Sequence, residues 1–420
     1  MDKLIIEGDK PLKGEVKISG SKNAALPIMA ATLLTDEPCT IRNVPNLRDT
    51  RTMIALLKSL GKKIEVEGSK LTVTTSGRPN FIADYKLVST MRGSFCVLGP
   101  LLAKLKRAKV SLPGGCVIGI RPVDLHLKGI RALGAKTEFE NGYIYAHARY
   151  LKGAHVYLGG EFGSSVLATA NILMAASLAN GETVIESAAC EPEVEDLTNF
   201  LIGMGANIKG KGGHCLTVKG VKKLKGFNFK IIPDRIEAGT YILMAAATKS
   251  SITLKNADLS HLMVLKDKLE HAGVQLTGTG NDIIVRPKKH LRPVGVTTHP
   301  YPGFPHDLQA QFMALMSVTP GVSVITDKVY PDRFMHIAEL SRMGAEIRRD
   351  GANAIVQGIK KLYGAPVMAS DLRASAALIV AGLAAKGRTE IHRIYHLERG
   401  YEDLDKKLMG LGATVYREKE

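Results

Sequence analysis

The sequence of 420 residues predicts an α/β protein that contains six copies of one repeat, grouped as two domains of three. Three observations support this fold class. A glycine that ends a helical segment recurs at a nearly constant spacing, a strand–turn–strand pattern follows it, and a helix rich in small residues precedes it. The glycines are Gly61, Gly134, Gly205, Gly273, Gly344 and Gly412, separated by 73, 71, 68, 71 and 68 residues. A near-constant period of this length indicates a duplicated supersecondary unit.

Each repeat begins with an alanine- or glycine-rich helix, as in "LMAAATKSSITL" and "LMAASLANGETVI". The turn that follows is a helix stop, and the alternating apolar residues after it predict a strand. A loop and a second helix then lead to the recurrent glycine and a hairpin, as in "LGKKIEVEGSKLTV". The predicted order is helix, strand, loop, helix, strand, turn, strand, and the small residues of the first helix allow it to be buried on nearly all sides.

The sixth repeat stops early, at "YREKE", whereas the N-terminal segment "LIIEGDKPLKGEVKI" at residues 4–18 fits the missing part of the template. We therefore expect the N-terminal segment to complete this repeat. The predicted domains are residues 1–21 with 233–420, and residues 22–232, joined by two chain crossings near residues 20 and 232.

The net charge of +17 indicates an anionic partner. The basic residues are scattered along the chain, aromatic residues make up only 5%, and there is no Trp, which argues against a base-stacking surface. A nucleic-acid-binding repeat protein is the alternative from another functional class, and it would need a continuous basic stripe. The simplest interpretation of the scattered charge is that most of it is a solvated surface. Small phosphorylated substrates are the other candidate partners, and we expect no nucleic acid partner.

The sequence also bears on the cellular location of the protein and on the state of its cysteines. No apolar run approaches the length of a membrane span, and the N-terminus "MDKLIIEGDK" carries charges where a signal peptide needs an apolar core. We expect a cytoplasmic protein without membrane insertion. The five cysteines include no CxxC pair, which argues against a disulfide framework or a structural zinc site.

Because the repeats are copies, we expect their loops to point the same way and to share one site. Charged and nucleophilic residues on these loops are Arg48, Cys116, Arg121, Glu191, Glu193, Arg333 and Arg399. Lys22, Arg92 and Arg373 stand at predicted helix starts, where the helix dipole disfavours a cation unless an anion also binds. The sequence therefore predicts phosphate or carboxylate binding at these helix starts. The alternative is that the three side chains extend into solvent.

The segment "PGGCVIGIRPVDL" at 113–125 places Cys116 on a glycine-rich loop near Arg121. A neighbouring guanidinium lowers the pKa of a thiol, which suits a nucleophile or a general acid. The spacing alone, however, favours a partly packed thiol without a catalytic role. We expect His126 and His306 to be structural or to lie behind the residues that contact substrate.

At the level of whole motifs, the chain resembles the UDP-N-acetylglucosamine enolpyruvyl transferase family over essentially its full length. The motifs include "GSKNAALPIMAATLL", "PGGCVIGIRPVDLHLKG", "PDRIEAGTYILMAAA", "YPGFPHDLQAQFMAL" and "SDLRASAALIVAGLAAKG". The resemblance implies an inside-out α/β barrel, with two domains each of three βαβαββ-type repeats. It also implies a monomer that transfers the enolpyruvyl group of phosphoenolpyruvate to the 3-hydroxyl of UDP-N-acetylglucosamine, releases phosphate and needs no metal or organic cofactor.

The same resemblance implies residue roles. Cys116 matches the proton donor, the thiol that fosfomycin alkylates in this family, and Asp307 matches the base that takes the proton of the sugar hydroxyl. Lys22, Arg121 and Arg399 match the cradle for phosphoenolpyruvate, while Asp371 and Arg373 match supporting residues of the cleft. The residues that match contacts to the sugar nucleotide are Asn23, Arg92, Pro122, Val123, Asp124, Leu125 and Val329.

One segment departs from the family pattern. The stretch "GGEFGSSVLATANILM" at 159–174 stands where the family has a lysine-valine-serine-valine-glycine sequence, and it is longer. Within the same chemistry, a shikimate 3-phosphate enolpyruvyl transferase is the alternative. That enzyme does not use a loop cysteine, so "GGCVIGIRP" favours the sugar-nucleotide enzyme.

Overall fold

The computed structural model describes residues 2–113 and 123–419 of the chain. They form two compact units. The first unit comprises residues 2–19 and 233–419, and the second comprises residues 20–113 and 123–232. Each unit has its own hydrophobic core of buried aliphatic and aromatic side chains.

The strands of the described residues are short, and most have six residues or fewer. They are β1 (Asp2–Glu7), β2 (Glu15–Lys17), β3 (Cys39–Arg42), β4 (Lys62–Glu67), β5 (Lys70–Thr75), β6 (Ile82–Ala83), β7 (Arg107–Ser111), β8 (Lys136–Glu140), β9 (Tyr143–His147), β10 (His155–Tyr157), β11 (Gly159–Gly160), β12 (Gly163–Ser164), β13 (Glu182–Glu186), β14 (Asn207–Lys209), β15 (Cys215–Lys219), β16 (Asn228–Lys230), β17 (Ile252–Lys255), β18 (Val274–Thr279), β19 (Asp282–Pro287), β20 (Val296–Thr298), β21 (Gly321–Asp327), β22 (Glu346–Asp350), β23 (Asn353–Gly358), β24 (Pro366–Met368), β25 (Arg388–His392) and β26 (Thr414–Lys419).

The α-helices of the described residues are α1 (Lys22–Ala31), α2 (Arg48–Ser59), α3 (Tyr85–Val88), α4 (Leu98–Leu105), α5 (Asp124–Ala132), α6 (Val166–Ala176), α7 (Pro192–Gly203), α8 (Arg235–Ala247), α9 (Met263–Ala272), α10 (Gln309–Ser317), α11 (His336–Arg342), α12 (Leu372–Ala384) and α13 (Leu404–Gly410). Short 3₁₀ helices cover Thr32–Leu34, Arg92–Val97, Leu259–Leu262, His306–Leu308 and Ile394–Arg399. None of the helices found in residues 2–113 and 123–419 is long and apolar enough to cross a membrane.

Each unit contains three four-stranded sheets with one common pattern. An edge strand pairs in parallel with its neighbour, and the next two strands are antiparallel. The sheet orders are β16-β3-β5-β4, β6-β7-β9-β8 and β10-β13-β15-β14 in the second unit, and β2-β17-β19-β18, β20-β21-β23-β22 and β24-β25-β1-β26 in the first. The predicted strand–turn–strand hairpins are confirmed by pairs such as β4 with β5 and β18 with β19.

The N-terminal strand β1 occupies an interior position of its sheet. It pairs antiparallel with β25 on one side and with β26 on the other. Leu4, Ile5 and Ile6 of this strand are fully or almost fully buried. β2 pairs in parallel with β17, so residues 2–19 contribute to two of the three sheets of the first unit.

The core of the first unit is built on three helices that pack against one another: α8, α10 and α12. Every residue of α8 and α10 is buried: most are small or apolar, and the few polar side chains, such as Glu237 and Gln311, are buried with them. Each helix also packs against one sheet, α8 on β17 and β19, α10 on β21 and β23, and α12 on β1 and β25. The prediction that the first helices are buried on nearly all sides is confirmed for α8, α10 and α12.

The recurrent glycines end the second helices, as the sequence predicts. Gly61, Gly134, Gly205, Gly273, Gly344 and Gly412 follow α2, α5, α7, α9, α11 and α13 and all have φ between +84° and +100°. This left-handed conformation closes a helix without steric cost only for glycine. Of the predicted fold class, the mixed α/β architecture is confirmed. The inside-out barrel stays a prediction.

Candidate active site

In the first unit, the N-terminal ends of the three buried helices carry charged side chains. Arg235 is the first residue of α8, and Asp234 before it accepts hydrogen bonds from the backbone N–H groups of Ile236 and Glu237. Asp371 caps α12 in the same way and Arg373 is the second residue of that helix. Asp307 lies in the 3₁₀ turn that leads into α10. An Asp before a helix satisfies backbone donors that would otherwise have no partner.

Arg333 joins the predicted base to a second carboxylate. Its NH1 group donates to Asp307 Oδ1 at 3.0 Å, and its NH2 group donates to Asp371 Oδ1 at 3.1 Å. Arg373 NH2 donates to the other oxygen, Asp307 Oδ2, at 2.9 Å. Both oxygens of Asp307 therefore carry a guanidinium partner. Arg333 and Arg373 are 5% and 4% exposed, so these ion pairs are shielded from solvent.

The charges around Asp307 decide its protonation state. Burial by itself raises the pKa of the carboxyl, but the charges of Arg373, His306 and Arg333 outweigh burial and hold the pKa well below its ordinary value. Burial likewise opposes ionisation of Asp371, and the Arg333 charge outweighs it and lowers the pKa of that group. Asp307 is thus an anion at neutral pH, with a lower proton affinity than a free carboxylate.

Uncharged groups complete this cluster. The Tyr401 hydroxyl lies 2.8 Å from Thr240 Oγ1, and it accepts hydrogen bonds from Gln311 Nε2 at 3.2 Å and from Arg373 NH1 at 3.3 Å. Gln311 Nε2 also donates to the Asp307 carbonyl at 3.0 Å. These contacts fix the Arg373 guanidinium and the turn that carries Asp307. The predicted residues Asp307, Asp371 and Arg373 are therefore brought together directly.

Val329 and Arg399 belong to neighbouring loops of the same unit. The Val329 N–H donates to Asp327 Oδ1 at 3.0 Å, and the buried Asp327 accepts from Thr298 Oγ1 at 2.7 Å. The ring of Tyr330, next to Val329, stacks on His306 at a centroid distance of 5.9 Å. Arg399 is the last residue of a 3₁₀ helix, two positions before Tyr401. Both loops therefore lie beside the Asp307 cluster.

In the second unit, α1 begins at a predicted phosphate ligand. Ser21 caps the helix by accepting from Ala24 N, and Lys22 is the first helical residue, followed by Asn23. Lys22 Nζ lies 3.5 Å from Asp49 Oδ2, on the buried side of α2. The sequence analysis predicted that each cation at a helix start lies near an anion. Two of these cations have a carboxylate of the chain itself as that anion: Lys22 pairs with Asp49, and Arg373 pairs with Asp307.

Arg92 begins the 3₁₀ helix that continues into α4. Behind it lies a buried polar group: Asn171 Nδ2 donates to the Phe95 carbonyl at 3.0 Å and to His126 Nδ1 at 2.9 Å. Burial, with a contribution from Arg92, lowers the pKa of His126 to about 3, so the imidazole is neutral. His126 is 2% exposed and packs edge-on against Phe95. This packing supports the first of the two roles expected for His126, a structural one.

Three further predicted residues lie at the start of α5. Val123 is the residue before the helix, Asp124 is its first residue and is exposed, and Leu125 follows. Cys116, Arg121 and Pro122 lie outside the described residues, so their roles remain predictions.

Ser165 caps α6 by accepting from Ala168 N at 3.3 Å, and Ser164 ends strand β12 just before it.

Sequence reasoning noted Arg333 as a loop residue but gave it no role, and it missed Gln311 and Tyr401. The signal for Arg333 was its position on a loop equivalent to that of Cys116. Arg333 bridges two carboxylates that lie on other loops, Asp307 and Asp371. A local sequence pattern does not indicate that these loops lie within hydrogen-bond distance of one another.

Comparisons with known proteins identify the family. The sequence model of the family "EPSP synthase (3-phosphoshikimate 1-carboxyvinyltransferase)" matches residues 6–408. A protein of Geotalea uraniireducens named UDP-N-acetylglucosamine 1-carboxyvinyltransferase is 51% identical over 420 residues, which is 100% of both chains. One of the same name from Desulfosudis oleivorans is 52% identical over 99% of each chain. The chain belongs to the enolpyruvyl transferase family.

As an enolpyruvyl transferase family member the chain is an enzyme, a transferase. The crystal structure of the enolpyruvyl transferase NikO from Streptomyces tendae superposes with a TM-score of 0.90 at 24% identity and covers 99% of this chain and 98% of that one. This similarity shows that the fold is shared. The resemblance to the family stated from the sequence motifs is confirmed.

Proposed function

We propose that this chain transfers the enolpyruvyl group of phosphoenolpyruvate to the 3-hydroxyl of UDP-N-acetylglucosamine and releases phosphate, in the synthesis of peptidoglycan precursors. The observation that carries the proposal is the identity of 51% over the full length to a protein named UDP-N-acetylglucosamine 1-carboxyvinyltransferase. The matching family model bears the name of the shikimate enzyme, but full-length identity at this level to the sugar-nucleotide enzymes favours UDP-N-acetylglucosamine as the acceptor.

The chemistry divides into an addition and an elimination. The sugar hydroxyl loses its proton as its oxygen bonds to C2 of phosphoenolpyruvate, while C3 gains a proton, which gives a tetrahedral ketal. A proton then leaves C3, the double bond re-forms and phosphate departs. The addition needs a proton acceptor at the hydroxyl and a proton donor at C3, and both steps need cations around the phosphate and the carboxylate.

Asp307 is assigned to the hydroxyl, and its surroundings limit how it acts. The ion pairs with Arg333 and Arg373 fix both carboxylate oxygens and lower the pKa of the group. A base of low pKa holds a proton weakly. We infer that Asp307 accepts a hydrogen bond from the hydroxyl in the bound state and takes its proton only as the C–O bond forms and the hydroxyl becomes acidic.

The remaining roles rest on the family resemblance. Cys116 donates the proton to C3, and Lys22, Arg121 and Arg399 bind phosphoenolpyruvate. Lys22 stands at the start of α1, where backbone N–H groups and the helix dipole add to its charge. The predicted monomeric state, cytoplasmic location and two-domain inside-out barrel are part of the same proposal.

Phosphate release from phosphoenolpyruvate tests the proposal. The purified protein is incubated with phosphoenolpyruvate and either UDP-N-acetylglucosamine or shikimate 3-phosphate. We expect release only with the sugar nucleotide. Release with shikimate 3-phosphate alone would assign the other acceptor, and release with neither would contradict the proposed reaction.

The Cys116→Ser variant tests the proton donor. We expect it to lose turnover by about 100-fold or more, because a serine hydroxyl is a much weaker acid than a thiol. Binding of UDP-N-acetylglucosamine, measured by calorimetry, should persist. The exposed Cys215→Ser variant is the matched control and should keep wild-type turnover. Full activity of Cys116→Ser would remove Cys116 from the acid role.

A further inference from the structure

His306 and the assigned base Asp307 contact the same guanidinium. His306 precedes Asp307 in the 3₁₀ turn that leads into α10. Its ring nitrogen Nδ1 lies 3.0 Å from Arg333 NH1, and the same NH1 group donates to Asp307 Oδ1 at 3.0 Å. The other ring nitrogen, Nε2, lies 3.8 Å from Asp307 Oδ1, which is too long for a hydrogen bond. One NH1 group therefore joins the imidazole to the carboxylate.

The contact with Arg333 fixes which form of the His306 ring the structure accommodates. A guanidinium donates hydrogen bonds and has no acceptor, so Nδ1 is the acceptor and carries no proton. The single proton of the neutral ring then lies on Nε2. A protonated ring would carry a proton on both nitrogens, and its Nδ1–H would face the N–H group of a second cation. Protonation of His306 is therefore incompatible with its contact to Arg333.

The charged groups around His306 come from three elements. Asp307 lies on its own turn, Arg333 lies on the loop after β21, and Asp371 and Arg373 lie at the start of α12. Burial opposes the ionisation of the two carboxyls, but the charges around them outweigh it and lower both pKa values. Arginine stays protonated at any pH that the protein meets. Of these side chains, only histidine ordinarily changes charge between pH 5 and 8.

His306 is also the most exposed side chain of this group. Its side chain is 27% exposed, against 21% for Asp307 and 6% for Arg333. The uncharged ring of Tyr330 stacks on the imidazole at a centroid distance of 5.9 Å. The imidazole can therefore exchange its proton with water while the guanidinium behind it stays buried.

We propose that His306 is a positioning residue whose protonation state controls the assigned base. In its neutral form it accepts from Arg333 and holds that guanidinium beside Asp307. When protonated it loses this contact and adds a positive charge next to the carboxylate, in the same direction as the arginine charges. Asp307 then becomes a weaker proton acceptor as pH falls. The inference rests on the proposed function, in which Asp307 takes the proton of the sugar hydroxyl.

The His306→Asn variant tests this control. The amide oxygen can replace Nδ1 as the acceptor for Arg333, and the amide does not titrate. At saturating substrates we expect the ratio of variant kcat to wild-type kcat to rise about five- to tenfold from pH 8 to about pH 5.5, because wild type loses its neutral imidazole over this range. A ratio that does not change with pH would overturn the proposal, since a packing defect lowers kcat without this pH dependence.

His271→Asn is the matched control. His271 lies on α9, its side chain is 68% exposed, and its Nδ1 lies 3.9 Å from Asp267 Oδ2, so it is also a histidine beside an aspartate. We expect the kcat of this variant to follow wild type at every pH. A rise in its ratio equal to that of His306→Asn would overturn the proposal, because the effect would then not depend on the Asp307 cluster.

Nitrogen NMR of the full-length protein labelled with ¹⁵N-histidine tests the contact without activity. The resonances of His306 are those that disappear in His306→Asn. We expect the tautomer with the proton on Nε2 at pH 8, and a proton on Nδ1 would overturn the proposal. In Asp307→Asn the midpoint of the His306 titration is expected to fall by about 0.5 in pH or more, because the imidazolium loses an anionic neighbour. An unchanged midpoint would contradict the link between the two side chains.

The two proposals fail in distinguishable ways. A wild-type protein that releases no phosphate with UDP-N-acetylglucosamine contradicts the proposed function, whatever the resonances of His306 show. A wild-type protein that is active with it, combined with a kcat ratio that does not change with pH, contradicts only the role of His306. Thermal unfolding of each variant at the same pH values shows whether a change in kcat comes from damage to the fold.

Discussion

Arg333 shows how one side chain sets the chemistry of its neighbours. Its guanidinium group donates hydrogen bonds to both Asp307 and Asp371, and its burial shields these contacts from water. A buried guanidinium next to two carboxylates fixes their positions and keeps both ionised. The cost is that Asp307 has little tendency to hold a proton. The same contacts that orient the assigned base therefore weaken it as a base.

The Asp307→Asn variant tests this residue. We expect it to fold, to lose turnover by about 100-fold or more, and to lose about 1 to 3 kcal/mol of stability because two buried guanidinium groups lose part of their countercharge. Phosphate release and denaturant unfolding measure the two effects. Asp332→Asn is the control, since Asp332 is a surface carboxylate 86% exposed and paired with Arg349. Wild-type turnover in Asp307→Asn would remove the base assignment.

Among the elements, the pair α4 and α6 depends on a close approach of two helix backbones. The Gly99 N–H donates to Asn171 Oδ1 at 2.7 Å, and a methyl group at Gly99 would lie 2.2 Å from the Asn171 carbonyl oxygen. Asn171 in turn holds His126 and the Phe95 carbonyl. A single glycine therefore permits both the helix packing and the buried polar network behind Arg92.

The Gly99→Ala variant should destabilise the protein by about 1 to 3 kcal/mol, because the helices must separate to admit the methyl group. Gly410→Ala is the matched control: Gly410 is helical and has nothing within 4 Å of an added methyl. We expect the control to be neutral or stabilised by up to about 1 kcal/mol. Denaturant unfolding compares the two, and equal stability of Gly99→Ala and wild type would contradict the packing argument.

Asp196, on α7, holds the backbone where the chain leaves the second unit. Its Oδ2 accepts from Ile232 N at 3.2 Å. Burial, reinforced by Glu193 and Glu195, raises its pKa from 3.8 to about 7. The folded state therefore binds more protons than the unfolded state between about pH 3.8 and 7, and this group's contribution to stability falls as pH rises through that range.

The Asp196→Asn variant removes this dependence while an amide oxygen still accepts from Ile232. We expect the variant to match wild type near pH 4 and to exceed it by about 1 to 3 kcal/mol near pH 8, where wild type carries the buried charge. Denaturant unfolding at several pH values, taken as the difference between variant and wild type, measures the effect. A difference that does not change with pH would contradict the raised pKa.

The secondary-structure elements could be predicted from the sequence, but the contacts between their side chains could not. The period of the glycines and the alternation after them predict the second helices and the hairpins, because φ above zero and strand alternation are local properties. The sequence also placed Lys22, Asp371 and Arg373 at helix starts, which capping residues mark. Arg333 between two carboxylates and Asn171 between His126 and the Phe95 carbonyl could not be predicted, because both depend on distances set by tertiary structure.

For the whole molecule, residues 2–19 are essential to the first unit. Strand β1 fills an interior position between β25 and β26, and β2 completes the sheet of β17. Interior strands satisfy backbone groups on both edges, so their loss leaves two unpaired strands. The second unit, with its own three sheets, contains no strand from these residues among those described.

A chain that lacks residues 1–19 should therefore lose protection from hydrogen exchange in β25 and β26 and keep it in β3, β5 and β7. Mass-spectrometric hydrogen exchange measures both regions in one sample, with the second unit as the internal control. A synthetic peptide of residues 2–19 should restore protection in β25 and β26. Unchanged protection in these strands without the peptide would contradict the role of β1.

The interior position of β1 also sets an order of events during synthesis on the ribosome. Residues 2–7 are made first, but their neighbour β26 is made roughly 400 residues later, which takes about 20 to 80 s at ordinary elongation rates. Every strand that the structure describes in the second unit has been made by residue 230, well before β26. For most of translation the apolar residues Leu4–Ile6 of β1 therefore have no partner strand, so the sheet that contains β1 can be completed only after nearly the whole chain has been made.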